Sequence, residues 1–433
     1  MSEKVKKEKK ILTPEQKKAR SKKQGKIAGI VILALVLVFG MFIGTFAVIN
    51  VSGFKSLIET ANSFDTIDYE GKQLKPTMEP DGYWTFNTNR TLKIVQLTDI
   101  HIGVGFASLK SDGMALNAIA AMVSAEKPDL VVATGDIAYP VPVQAGTFNN
   151  LTAAEVFANL MEKLGVYWTF TFGNHDTESY SMYDREDICN FYANKIDSGE
   201  YKYCLFQRGP KDIFGYGNSI IKVKNGATYT QAIVTIDSNA YLPGDSFGIA
   251  WDYDNIHEDQ VKWYEDEMLK LKAANGGTAV KSLAFFHIPL VEMREAYAVV
   301  REQGLNSQNT IYKDKNGKET IFNYGEIHEK DPYVYCGKGE DTFFETGKRV
   351  GLQGTFTGHD HFNNLSVTVD GIRMTYGKSI DYLAYAGISK KGSQRGCTVI
   401  SVEPNGTFDC VAENYYQAKY PSKYPKEKVT FAW

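Results

Sequence analysis

Five of the seven histidines in this 433-residue chain sit where a short apolar run ends, and four of these lie within two residues of Asp, Asn or Gly. Leu92–Leu97 runs into Thr98-Asp99-Ile100-His101, and Leu130–Ala133 into Thr134-Gly135-Asp136. Tyr167–Phe172 runs into Gly173-Asn174-His175-Asp176, Ser282–Phe286 ends in His287, and Leu352–Phe356 leads to Gly358-His359-Asp360-His361. Carboxylates, imidazoles and one amide are mixed oxygen and nitrogen donors that suit Mn, Fe or Zn. Asp99 and His101 stand two residues apart, so both can turn toward one ion from an extended strand exit. A glycine before Asp136, Asn174 and His359 lets the backbone bend sharply and approach a site closely. The other two histidines fit no such pattern: His257 reads as part of a helix start and His328 as a loop residue.

The elements that must position these residues are short apolar strands alternating with helices. Met114–Ser124 and Ala153–Leu164 have amphipathic helical spacing between the first three runs. Gln231–Ile236 and Leu365–Val369 read as further strands, and Pro404-Asn405-Gly406 as a hairpin turn. His257–Ala273 is a central helix with Val261, Tyr264, Met268 and Leu271 on one face. This order predicts an α/β fold with a largely parallel buried sheet, closer to a sandwich than to a doubly wound sheet. Ligands of open α/β sheets lie at the carboxyl ends of strands, so five loops converge on one crevice.

The series Asp99-x-His101, Gly135-Asp136, Gly173-Asn174-His175-Asp176, His287 and Gly358-His359-Asp360-His361 resembles the calcineurin-like metallophosphoesterase family, with all five blocks in order. The surroundings Phe285-Phe286-His287-Ile288-Pro289-Leu290 and Phe362-Asn363-Asn364 are similar to its purple-acid-phosphatase-like branch. The resemblance covers about Leu92 to Val402 and implies a β-sandwich flanked by helices. It implies two transition-metal ions: Asp99, His101 and His361 on the first, Asn174, His287 and His359 on the second, and Asp136 between them. His175 would face the substrate, with Asp176 holding its tautomer. The implied reaction is hydrolysis of a phosphate mono- or diester by in-line attack of a hydroxide shared by the two ions. Purple acid phosphatases carry a tyrosine ligand where Tyr139 stands and glycine where His101 stands. With His101 present, Tyr139 is expected to pack beside the ligands rather than bind.

Charge and hydropathy add a location. Residues 1–26 carry eleven Lys/Arg against three Glu, a balance of +8, which leaves −11 on the remainder of a chain whose net charge is −3. An acidic main domain argues against a nucleic-acid scaffold. Ile27 to Asn50 holds no charge; as a helix it spans about 36 Å, enough to cross a bilayer. The basic flank places residues 1–26 in the cytoplasm, and the length favours an anchor over a cleaved signal peptide. The expected organisation is a cytoplasmic tail 1–26, anchor 27–50, stalk 51–90, metallophosphoesterase domain 91–412 and tail 413–433. The catalytic domain then lies outside the cytoplasm. Five cysteines form no C-x-x-C pair, and Cys189 and Cys204 could be bridged in an oxidising compartment. Tyr180, Tyr183, Tyr201 and Tyr203 suit either packing or a substrate rim. The insertions Glu178–Asn218 and Glu292–Lys348 are placed to shape the substrate cleft. A non-catalytic surface protein on the same fold is the alternative, and it predicts damaged ligands.

Overall fold

The computed structural model describes residues 12–245, 247–304, 308–329, 333–339, 341–385, 388, 395–413 and 415–427. Two compact units divide the chain between Ser52 and Gly53. The first is part of helix α1 (Pro14–Asn62), which is long and apolar enough to cross a membrane by length and composition. Its apolar residues from Ile27 to Val51 are largely exposed, as expected of a segment without a protein core around it.

The second unit opens with the last turns of α1, whose Leu57 and Ala61 are buried. Next come β1 (Thr77–Met78) and β2 (Trp84–Asn87). A βαβαβ run follows: β3 (Leu92–Leu97), α2 (Leu109–Glu126), β4 (Leu130–Thr134), α3 (Leu151–Leu164) and β5 (Trp168–Thr171). After α4 (Arg185–Asp197) the chain forms β6 (Ser219–Asn225), β7 (Thr228–Thr235), α5 (Glu258–Ala274), β8 (Lys281–Phe285) and α6 (Val291–Gln303). Then come β9 (Thr310–Lys313), β10 (Glu319–Tyr324), α7 (Phe343–Val350) and β11 (Leu352–Thr357). The last strands are β12 (Ser366–Val369), β13 (Ile372–Tyr376), β14 (Cys397–Val402) and β15 (Phe408–Glu413).

Two sheets result, with orders β15-β14-β3-β4-β5 and β1-β2-β6-β7-β8-β11-β13-β12-β10-β9. The side-chain alternation of a strand decides what each face covers. Leu92 and Ile94 of β3 join Leu283 and Phe285 of β8 and Phe356 of β11 in the core between the sheets. Val95 and Leu97 face the opposite way, into the core with α2 and α3. Ala284 of β8 lies in the core with α5, α6 and α7. The fold is therefore the expected α/β sandwich with helices outside, but the sheets are mixed rather than mostly parallel. Parallel pairing holds where the site is built: β3, β4 and β5 run together, as do β7, β8, β11 and β13. Their carboxyl ends share an edge.

Within the stretch 51–90, read from the sequence as a stalk, residues 53–90 fall in this unit and pack on it. The β2 strand pairs with β6 in the sheet. Thr66 Oγ1 donates to the Lys163 carbonyl at 2.9 Å, and Tyr69 to that of Pro128 at 2.7 Å. The buried Lys222 is neutralised by Glu79 and Asp81. The tail from residue 413 likewise packs on the domain through its described part, with Tyr416 and Tyr420 in the core beside α2. Cys189 and Cys204 are free, buried thiols. Asn150 and Asn364, which stand in N-x-S/T triplets, are also buried: Asn150 donates from Nδ2 to the carbonyls of Asp176 and Tyr183, and Asn364 accepts on Oδ1 from Glu326 N.

Candidate metal centre

The loop after β3 is laced to the loop after β4. Backbone N–H groups of Asp99, Ile100, His101 and Ile102 donate to carbonyls of Gly135, Asp136 and Ile137 at 2.9 to 3.3 Å. Asp112, buried at the start of α2, accepts from Gly103 N at 2.8 Å, Val104 N at 2.9 Å and Ser108 Oγ at 2.8 Å, closing the first loop on itself. Four of the predicted ligands, Asp99, His101, Asp136 and His359, have φ between 47° and 79°. That left-handed region is unfavourable for any residue with a Cβ and clusters at functional sites. The glycines fit their expected purpose. A Cβ on Gly173 would stand 2.1 Å from Asp136 Oδ1, and one on Gly358 would stand 1.9 Å from Thr98 Oγ1.

All seven predicted ligands converge. One donor atom each from Asp99, His101, Asp136 and His361 lies within 4.8 Å of the others, and all four residues are buried. On the other side of Asp136, Asn174 Oδ1 stands 3.2 Å from His287 Nε2 and 3.0 Å from His359 Nδ1. Asp136 Oδ2 lies 3.4 Å from His101 Nε2 and 3.2 Å from His287 Nε2, so it sits between the two groups.

The surroundings leave lone pairs aimed inward. His287 Nδ1 pairs with the Thr134 carbonyl at 2.8 Å, which fixes the proton there and frees Nε2. His361 Nδ1 meets Asp381 Oδ2 at 3.0 Å, with the same effect. Asn174 Nδ2 donates to the Tyr241 hydroxyl at 2.9 Å, which turns Oδ1 toward the histidines. Both nitrogens of His101 and Asp136 Oδ2 are buried without a hydrogen-bond partner. Such orphaned groups are costly, and two imidazoles flanking one bare carboxylate oxygen are what a cation would satisfy. Burial also holds His101 and His359 below the usual histidine range, as the neutral imidazoles that bind metals. Burial raises the Asp136 carboxyl, but the His287 and His175 imidazoles facing it outweigh that and hold it well below the usual range. The donor set fits divalent first-row metals.

The family-level pattern covers most of the chain. Residues 92–363 match the calcineurin-like phosphoesterase family. The chain belongs to this family. Its relatives include three Arabidopsis thaliana proteins called probable inactive purple acid phosphatases. Numbers 14 and 28 are each 26% identical to this chain, over 70% and 74% of it and 74% and 77% of their own lengths. Phosphatase DCR2 of Saccharomyces cerevisiae is 29% identical over 64% of this chain and 45% of its own length. A buried Asp/His cluster at the family's motif positions makes this a phosphoesterase-family centre with metal-binding chemistry.

One residue near the ligands differs from expectation. Asp176 does not touch the His175 ring. Its carboxylate accepts backbone N–H groups of Asp136 at 3.0 Å, Ala138 at 2.8 Å and Gly173 at 2.8 Å, tying two ligand loops together. Glu178 takes the expected role instead, with Oε1 at 2.7 Å from His175 Nδ1 and accepting from Tyr241 at 3.0 Å. Its place three residues after His175 was a usable signal; Asp381, twenty residues beyond His361, offered none. The His175 backbone N–H donates to Asp136 Oδ1 at 2.8 Å, and its side chain is 25% exposed against 0–3% for His101, His287 and His361. Tyr139 lies over His101 and His175, with ring centroids 4.7 and 5.1 Å away, and donates its hydroxyl to Gln144. Part of the insertion after Glu178 lines a cleft of 870 Å³ together with Tyr241, through Arg185, Arg208 and Phe214; its wall includes neither His175 nor any of the seven predicted ligands. His257 caps α5 beside Asp254 and His328 pairs with Glu326, neither at the centre.

Proposed function

We propose that the chain is a two-metal phosphoesterase that hydrolyses phosphate mono- or diesters. One observation carries this reading: two groups of inward-facing donors meet at the unpartnered Oδ2 of Asp136. Asp99, His101, Asp136 and His361 on one side and Asn174, His287, His359 and Asp136 on the other would hold two divalent ions, which when bound would supply Lewis acidity and lower the pKa of water. His175 stands at the mouth with its imidazole oriented by Glu178, so Nε2 can hold a phosphate oxygen or pass a proton to the departing alkoxide. Asp176 and Gly173 keep Asn174 and Asp136 in register. Tyr139, with its hydroxyl turned to Gln144, excludes water on one side.

The anchor completes the proposal. Residues 27–50 cross a bilayer once, the basic residues 1–26 stay in the cytoplasm, and the second unit works outside it. A second reading, a binding protein without turnover, is favoured by the word inactive in the names of the plant relatives. The intact donor set counts against it here. The test uses the full chain in detergent, loaded in turn with Mn, Fe or Zn, against a mono- and a bis-nitrophenyl phosphate. His175→Ala is expected to lower kcat at least about 10²-fold, and Asp136→Asn to abolish turnover. Metal binding without turnover on either ester would move the chain to the second reading.

A further inference from the structure

Fourteen large apolar side chains from Gly53 onward are exposed among the described residues. They are not scattered. Six of them, Val143, Phe148, Met182, Phe247, Ile249 and Trp251, are 50–91% exposed and lie on three loops that follow β4, β5 and β7. These strands end at the edge that carries the metal centre.

The first three sit beside the loops of Asp136 and His175. Met182 N donates to the Phe148 carbonyl at 2.9 Å, which joins the two loops into one ledge. The last three form the tip of a hairpin whose base is the paired Tyr241 and Tyr253. That base touches the ligands directly: Tyr241 meets Asn174, and the Tyr253 ring lies 4.3 Å from that of His359. The tip is a built object. Buried Asp245 accepts from the backbone N–H groups of Ile249, Ala250 and Asp252 at 2.9 to 3.2 Å. Trp251 is held at φ 56°, a conformation that a bulky residue seldom adopts without cause.

A fringe of this size on a soluble surface needs a partner. The chain itself suggests which one. Its charge-free run, which starts at Ile27, continues to Phe54, into the first residues of this unit. At Gly53 the backbone packs against Leu109, the first residue of α2, immediately after the loop that bears Asp99 and His101. The unit thus begins at the same edge as the metal centre and its fringe. Exposed apolar side chains on a rigid tip bind lipid by burying that area at the headgroup boundary.

We propose that the mouth of the metal centre seats against a lipid bilayer and takes the phosphate ester of a membrane amphiphile. The choice of substrate rests on the hydrolase reading above; the seating does not. The experiment places the full chain in phosphatidylcholine nanodiscs containing phosphatidic acid. Two readouts are taken: quenching of tryptophan emission by brominated acyl chains, and phosphate release from phosphatidic acid relative to nitrophenyl phosphate in the same discs. Quenching in the native chain, reduced in Trp251→Phe, is expected. In the triple variant Phe247→Ser, Ile249→Ser, Trp251→Ser, which keeps its anchor, the ratio of lipid to nitrophenyl turnover should fall at least about ten-fold, or about 1.4 kcal/mol. Equal quenching in the native chain and Trp251→Phe overturns the seating. Quenching with nitrophenyl turnover but no release from phosphatidic acid, or an unchanged ratio in the triple variant, overturns the substrate class. Quenching with no turnover of either ester supports the seating and overturns the hydrolase reading instead.

Discussion

Replacing Asp381 by asparagine isolates the contact that holds His361 in its metal-binding tautomer. The Asp381 carboxylate is buried and accepts four N–H groups: Leu383 and Ala384 on Oδ1, each at 2.7 Å, and Tyr385 and His361 Nδ1 on Oδ2, at 2.8 and 3.0 Å. Asparagine keeps the first pair but aims its Nδ2–H at the second, donor against donor. His361 relieves its share by moving the proton to Nε2, the nitrogen that faces Asp99 at 3.6 Å. A protonated Nε2 has no lone pair for a cation. Losing such a supporting carboxylate weakens metal binding about 10–100-fold, or about 1.4–2.7 kcal/mol. The Tyr385 N–H, left unpaired, costs the fold a further amount of about 1–3 kcal/mol, which appears separately as a lower metal-free Tm. Calorimetric titration of the full chain with Mn should show one site weakened by that factor and the other unchanged, with His361→Ala as the reference for losing the ligand. Native affinity at both sites in Asp381→Asn would refute the tautomer argument.

Two further outcomes follow from other contacts. Glu178→Gln removes the charge behind His175 without touching a ligand; kcat on nitrophenyl phosphate should drop about 10–100-fold, the value of a charge-assisted hydrogen bond, while metal stoichiometry by elemental analysis stays at the native value. Lys378 is buried with Nζ donating to the Asn364 carbonyl at 3.1 Å, and burial pushes it down to about 7 from 10.5. The unfolded chain then holds the extra proton between those values, so stability should rise with pH across that window by up to about 1.4 kcal/mol per unit. Lys378→Met should flatten the slope in denaturant titrations at successive pH values.

The site was legible because its residues announce themselves twice, by chemical type and by position after an apolar run. Leu92–Leu97 forms its strand with the expected bounds, since Thr98-Asp99 breaks the run at once. The packing of residues 53–90 was not legible for the opposite reason. This stretch is polar and proline-bearing, and β1 and β2 are two and four residues long: β1 pairs with β2 next to it, and β2 is tied into the sheet by β6, far along the chain. The tyrosine-rich end shows no periodicity, because Tyr416 and Tyr420 pack singly against α2. Helix α2 starts five residues earlier than the apolar spacing suggests, because Asp112 spends its carboxylate on the loop before it. Asp176 was placed correctly in space and wrongly in role: which backbone N–H groups a carboxylate faces depends on three loops at once.

The left-handed conformations at Asp99, His101, Asp136 and His359 set chemistry against stability at single positions. Glycine would relieve strain of about 1–3 kcal/mol at each and would remove a ligand in the same step. Under selection for a stable fold alone, drift should therefore run toward glycine at these four places before it reaches Asn174, His287 or His361. A copy of this gene released from its chemistry would carry that mark in its sequence while its sheets stayed intact.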